Sequence, residues 1–111
     1  MEQNVQARGT VQVVSVSGSL DALTAPELAD TLSNQLKQGK TNIVADLAAL
    51  DYTSSAGLKV LLNGVKEARQ KGGDLRLAAV QPNVNKVLEL SGFTTIIKSF
   101  PDVDAAVASF G

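Results

Sequence analysis

Valines alternate with polar residues through TVQVVSVSG, about Thr10 to Gly18, and the run closes on small turn formers, a pattern that predicts a strand. The preceding NVQAR supplies a hairpin partner across Gly9. TAPELADTLSNQLKQGK then changes period. Leu28, Leu32 and Leu36 fall on one side of a helix, Pro26 sits in its first turn, Thr24 and Glu27 have the spacing of a capping box, and Gly39 ends it. TNIVADLAAL is nearly continuous in apolar residues and bounded by turns, which predicts one strand buried on both faces of a largely parallel sheet. The clearest helix follows, with Leu58, Leu61, Leu62, Val65 and Ala68 at amphipathic spacing from about Ser55 to Lys71, stopped by Gly72 and Gly73.

DLRLAAV alternates again and reads as a strand. PNVNKVLELSG reads as a helix opened by Pro82, with Val84, Val87 and Leu88 on one face and Gly92 as its stop. TTIIKSF predicts a short last strand, and Val103, Ala106, Val107 and Phe110 give the tail a closing helix. Strands and helices in this rhythm imply an α/β fold: right-handed crossovers, a mixed and mostly parallel sheet with an N-terminal hairpin strand, and about four helices, in one domain spanning 1–111. The loops at the carboxyl ends of the parallel strands share one rim, where such folds usually place binding sites. Ser19 to Asp21, Asp51 to Ser55 and Gln81 to Asn83 are expected there.

Composition removes most catalytic chemistry. The 111 residues include no cysteine and no histidine, which excludes disulfides, thiol nucleophiles, imidazole bases and zinc sites built on those ligands. The net charge is −1 with acids and bases interleaved, so neither a nucleic-acid backbone nor an anionic membrane surface is an expected partner. No stretch is long and apolar enough to insert in a bilayer, and MEQNVQARGT lacks the apolar core of a signal peptide, so the expected address is the cytoplasm. There is no nucleophile elbow and no glycine-rich phosphate loop. Asp21, Asp46 and Asp51 fall at one rim as candidate metal ligands but read better as solvated loop carboxylates. No enzyme activity and no cofactor are expected.

DYTSSAGLKVLL, residues 51–62, sets two hydroxyls before the clearest helix. Ser54 is placed as N-cap, accepting from an orphaned backbone N–H, while Ser55 occupies the first turn nearer solvent. A phosphate on Ser55 would add roughly −1.5 to −2 charges beside the positive end of the helix dipole. Gly57 would let another chain approach the backbone closely.

The blocks SGSLDALTAPEL, DLAALDYTSSAGLKVLL and GGDLRLAAVQPNVNKVLELSGF, followed by a short final helix, resemble the STAS domain of bacterial anti-sigma factor antagonists over nearly the whole chain. That resemblance implies a partner switch. The unmodified domain captures an anti-sigma factor serine kinase and so frees the sigma factor, the kinase ends the capture by phosphorylating the domain, and a PP2C-type phosphatase resets it; ATP and magnesium belong to the kinase. It also implies phosphorylation at Ser55 and a partner surface of Asp21, Thr53, Ser54, Ser55, Ala56, Gly57 and Lys59. The chain departs from the family's Asp-Ser-Ser/Thr-Gly pattern: Ser54 stands where the aspartate is common, which makes it a rival acceptor, and Ala56 replaces the second hydroxyl residue. The resemblance leaves a second role open, that of an accessory subunit of a membrane transporter or a module of a signalling complex.

Overall fold

In the computed structural model, which describes residues 1–111, the strand β2 (Val11–Leu20) carries three partners. β1 (Glu2–Arg8) runs antiparallel beside it, joined through a tight turn in which Gly9 takes the left-handed conformation, φ 64°. β3 (Asn42–Asp46) pairs in parallel with its first half, and β4 (Leu50–Thr53) in parallel with its last residues. β5 (Asp74–Ala78) and β6 (Ser99–Phe100) complete the six-stranded sheet in the order β1-β2-β3-β5-β6.

The alternation of a pleated strand divides the apolar residues between two faces. Val14 and Val16 of β2, Ile43 and Ala45 of β3, and Leu75 and Leu77 of β5 join one core. That core is closed by α1 (Ala25–Lys37), α2 (Ser55–Gln70) and α3 (Pro82–Leu90) through Leu28, Leu32, Leu36, Leu58, Leu61, Val65, Val84 and Leu88. Val11, Val13, Val44 and Ala78 point the other way and meet α4 (Val103–Ala108) at Ala106, with Phe100, Val103, Val107 and Phe110 around it. Leu62 is only half-buried and stands outside both cores. Asp74, almost fully buried, links the faces: its carboxylate accepts from Arg69 Nε at 2.9 Å and from Arg76 Nε at 3.0 Å. Arg76 then donates to the Ser109 carbonyl and lies 4.1 Å over the Phe110 ring.

Three expectations are corrected. TNIVADLAAL is two strands, not one. Asp46 Oδ1 accepts from Ala48 N at 3.1 Å and Leu50 N donates to Leu47 O at 3.1 Å, so the chain turns and resumes as β4 beside the end of β2, past a register shift at Gly18 and Ser19. The capping box before α1 is Asp21 with Thr24, not Thr24 with Glu27: Asp21 Oδ1 accepts from Thr24 N at 3.1 Å while Thr24 Oγ1 accepts from Asp21 N at 2.9 Å. Of TTIIKSF only Ser99 and Phe100 pair with β5. The segment Phe93–Thr95 forms a 3₁₀ turn in which Thr95 Oγ1 donates to Gly92 O, a local bond that competes with strand pairing.

Candidate functional site

The rim assembles as its sequence predicts. Ser54 N donates to Leu20 O at 2.8 Å, joining the end of β2 to the start of α2. From the third segment, Gln81 Nε2 donates to Ala48 O at 2.7 Å and Asn83 Nδ2 to Asp51 O, so the α3 entrance is tied to the β3–β4 turn and to β4 itself.

At the α2 entrance the two hydroxyls differ in environment. Ser54 has extended backbone, φ −91° and ψ 175°, and its Oγ accepts from Gly57 N at 3.4 Å, a long N-cap bond. It is half-buried, whereas Ser55, the first helical residue, is exposed. The first turn holds no acidic residue, and the exposed Lys59 follows Ser55 by four positions, within one turn on the same face. A charge of roughly −1.5 to −2 on Ser55 would therefore meet the positive helix end and a nearby ammonium, with no carboxylate on its own turn.

The remaining candidates separate by depth. Ala56 is half-buried at the surface. Thr53 and Gly57 lie beneath it: Thr53 is 3 % exposed, and a β-carbon on Gly57 would stand 2.5 Å from Thr53 Oγ1 and 2.7 Å from Leu20 Cγ. The glycine thus admits this chain's own Leu20, and the expectation that it receives another chain is corrected. Asp21 is half-buried and committed to its loop, accepting from Leu23 N at 3.0 Å as well as from Thr24 N. The Thr24 backbone N–H above all, helped by Leu23 N–H and the Thr24 hydroxyl against some desolvation, holds its carboxyl below the ordinary 3.8. Asp21, Asp46 and Asp51 do not converge; no three acidic side chains are grouped to hold a metal ion.

Two surface residues escaped the sequence reading. Leu23 is 87 % exposed in the loop that Asp21 caps, and Tyr52 is 53 % exposed on β4 two residues before Ser54. Exposed apolar groups that flank a site are candidates for a protein interface. The available signal was Leu23 standing out of phase with the Leu28, Leu32 and Leu36 stripe.

The comparisons agree with this architecture. The STAS-domain family profile matches residues 2–106. A Bordetella bronchiseptica protein, BtrV, described as an anti-sigma factor antagonist, is 38% identical over 98 residues, covering 88% of this chain and 84% of that one. A crystal structure of an anti-sigma factor antagonist from Mycobacterium paratuberculosis superposes with a TM-score of 0.90 at 28% identity, covering 98% of this chain and 92% of the other. The Bacillus protein SpoIIAA in its phosphorylated form shares the fold, with a TM-score of 0.76, 20% identity and coverage of 97% and 99%. No helix of this chain is long and apolar enough to cross a membrane. With the β-sheet core, the helix opening after β4 and the profile match all in agreement, the chain belongs to the STAS-domain family, among the anti-sigma factor antagonists.

Proposed function

We propose that the chain is a phosphorylation-controlled switch in the cytoplasm that binds an anti-sigma factor with serine-kinase activity when Ser55 is free and releases it when Ser55 carries phosphate. The observation that supports this most directly is the division of labour at the α2 entrance. Ser54 spends its oxygen on the helix cap, while Ser55 presents its own to solvent on the first turn of a 16-residue helix. A phosphate there meets little electrostatic penalty within the domain. It would change the docking surface without unfolding what lies below, and like-charge or desolvation penalties at an interface are large enough to reverse binding.

In this reading the partner contacts Ser55, Ala56, Lys59 and the exposed edge of Ser54, with Asp21 holding the adjacent loop and Thr53 and Gly57 supporting the surface from below. The kinase brings ATP and magnesium, and a PP2C-type phosphatase returns Ser55 to its free form. The 38% identical relative carries an antagonist name, which favours this role over that of a transporter accessory subunit.

The test is incubation of the purified protein with candidate kinases and labelled ATP, followed by mapping of the modified residue. Phosphate on Ser55, abolished in Ser55→Ala and retained in Ser54→Ala, is the expected result. Phosphate confined to Ser54, or no transfer from any cognate kinase, would overturn it.

A further inference from the structure

We propose that the free edge of β1 is a docking surface for a second copy of this chain, the two β1 strands pairing antiparallel about Val5 so that the sheet continues across both molecules. The sheet has three places where a strand could be added, and two are closed. β6 is only two residues long. β4 is met by α3, whose Asn83 side chain holds the Asp51 carbonyl. β1 is the exception: it pairs with β2 without a break through seven residues, and its other side faces no element of the chain. Proteins commonly blunt such an edge with lysine, proline or a bulge, because its unpaired N–H and C=O groups are a template for another strand. EQNVQAR has none of the three.

The sequence of the strand selects both the occupant and the register. Residues directly opposite in an antiparallel pair point to the same face. Glu2, Asn4, Gln6 and Arg8 lie opposite Ser17, Ser15, Val13 and Val11 of β2, and so share the α4 side; Gln3, Val5 and Ala7 share the other. Pairing about Val5 uses all seven residues and sets Glu2 of each copy against Arg8 of the other, with Asn4 against Gln6 between them. The row is complementary to itself, acid to base at both ends and amide to amide within. Centring on Asn4 leaves Arg8 without a counterpart, and centring on Gln6 does the same to Glu2. Within its own chain Glu2 forms no ion pair, and Arg8 uses only Nη2, on Asp104 at 2.8 Å, which leaves guanidinium N–H groups to donate. On the opposite face the 38 % exposed Val5 meets its own copy on the twofold axis. A strand this polar gives reversible pairing, and since no residue of the α2 entrance lies on β1, Ser55 stays free in the dimer.

Sedimentation of the full chain at rising concentration, up to near-millimolar, is expected to show a monomer–dimer equilibrium. Glu2→Arg and Arg8→Glu each place like charges opposite one another at both ends and should weaken it about tenfold, while the combined Glu2→Arg/Arg8→Glu chain regains it. Because the chain has no cysteine, Val5→Cys provides a single thiol that should cross-link to its own copy under mild oxidation, faster than Ala7→Cys, whose counterpart is Gln3. A chain that is monomeric throughout, a double reversal as weak as either single one, or equal cross-linking of Val5→Cys and Ala7→Cys would each overturn the proposal.

Discussion

Leu20 and Gly57 occupy each other's space: the Leu20 side chain, fully buried, fills the volume a side chain at Gly57 would need, with Cγ and Cδ2 at 2.7 and 2.8 Å from an ideal β-carbon. This contact sets the distance between the end of β2 and the first turn of α2, and so the height at which Ser55 stands. Gly57→Ala gains helix propensity of about 1 kcal/mol. The overlap with Leu20 and Thr53 costs about 1–3 kcal/mol, because the clash involves a branch carbon in a filled core and not a loose chain end. Overlap outweighs propensity, and urea unfolding should show a net loss of up to about 2 kcal/mol, larger for Gly57→Val. Unchanged stability would show that Leu20 can withdraw.

Ser54 and Ser55 should separate cleanly when each is replaced by alanine. Ser54→Ala removes the N-cap acceptor from Gly57 N; its 3.4 Å length puts the loss at the low end of the usual range, about 0.5–1 kcal/mol. Ser55→Ala removes an exposed hydroxyl from the first turn and should stay within about 0.5 kcal/mol of the parent. If binding and stability are measured together, Ser55→Asp should weaken kinase capture by about tenfold or more at unchanged stability. Equal affinity for parent and Ser55→Asp would remove the charge-based account of the switch.

Asp21 makes one contribution depend on pH. Its carboxyl is held below 3.8 in the folded chain, chiefly by the Thr24 N–H, so the folded state favours the charged form. A group whose folded value is depressed adds stability that is complete above its unfolded value and is lost as the pH falls from there through the folded value. The loop should therefore loosen below about pH 4, and Asp21→Asn should lack that part of the acid dependence. Carboxyl carbon shifts recorded by NMR across pH 2 to 5 provide the check, with a midpoint at or above 3.8 contradicting the geometry.

Periodicity revealed those parts of the fold where one face is buried and the pattern is long. The α2 stripe and the Leu28, Leu32, Leu36 stripe of α1 appear as read, and the rim gathers the three segments named in advance. What periodicity could not show were hydrogen bonds that redirect an apolar run. TNIVADLAAL has no polar interruption except Asp46, and it is that side chain, on Ala48 N, that turns β3 into β4. The capping box failed for a similar reason: Asp21 and Thr24 satisfy the spacing as well as Thr24 and Glu27, and only coordinates decide between them. At the site, the solvent exposure of Ser55 followed from helix phase, but Gly57 was misread, because a glycine that admits its own leucine and one that admits a partner look alike in sequence.

Asp74 was invisible in the sequence, a lone acid at the start of a strand, yet it anchors the far end of the domain. Oδ1 accepts from Arg69 Nε and from Leu75 N, Oδ2 from Arg76 Nε, and the two guanidinium groups reach onward to Ile96 O at 2.8 Å and Ser109 O at 2.7 Å. One carboxylate thus fastens the end of α2, the connection before β6 and the tail after α4. Arg69 is substantially exposed and contributes little alone, whereas Arg76, with only 14 % of its side chain accessible, would be left as a poorly solvated cation. Asp74→Ala should therefore cost about 2–4 kcal/mol, more than Arg69→Ala, which should cost about 1 kcal/mol or less. The loss has a direction as well as a size. Because Arg76 also stacks on Phe110, amide hydrogen exchange in Val103–Ala108 should accelerate before that of α2 does, as α4 is the element released first. Simultaneous loss of protection in both helices would mean that the carboxylate supports the whole core and not the C-terminal attachment.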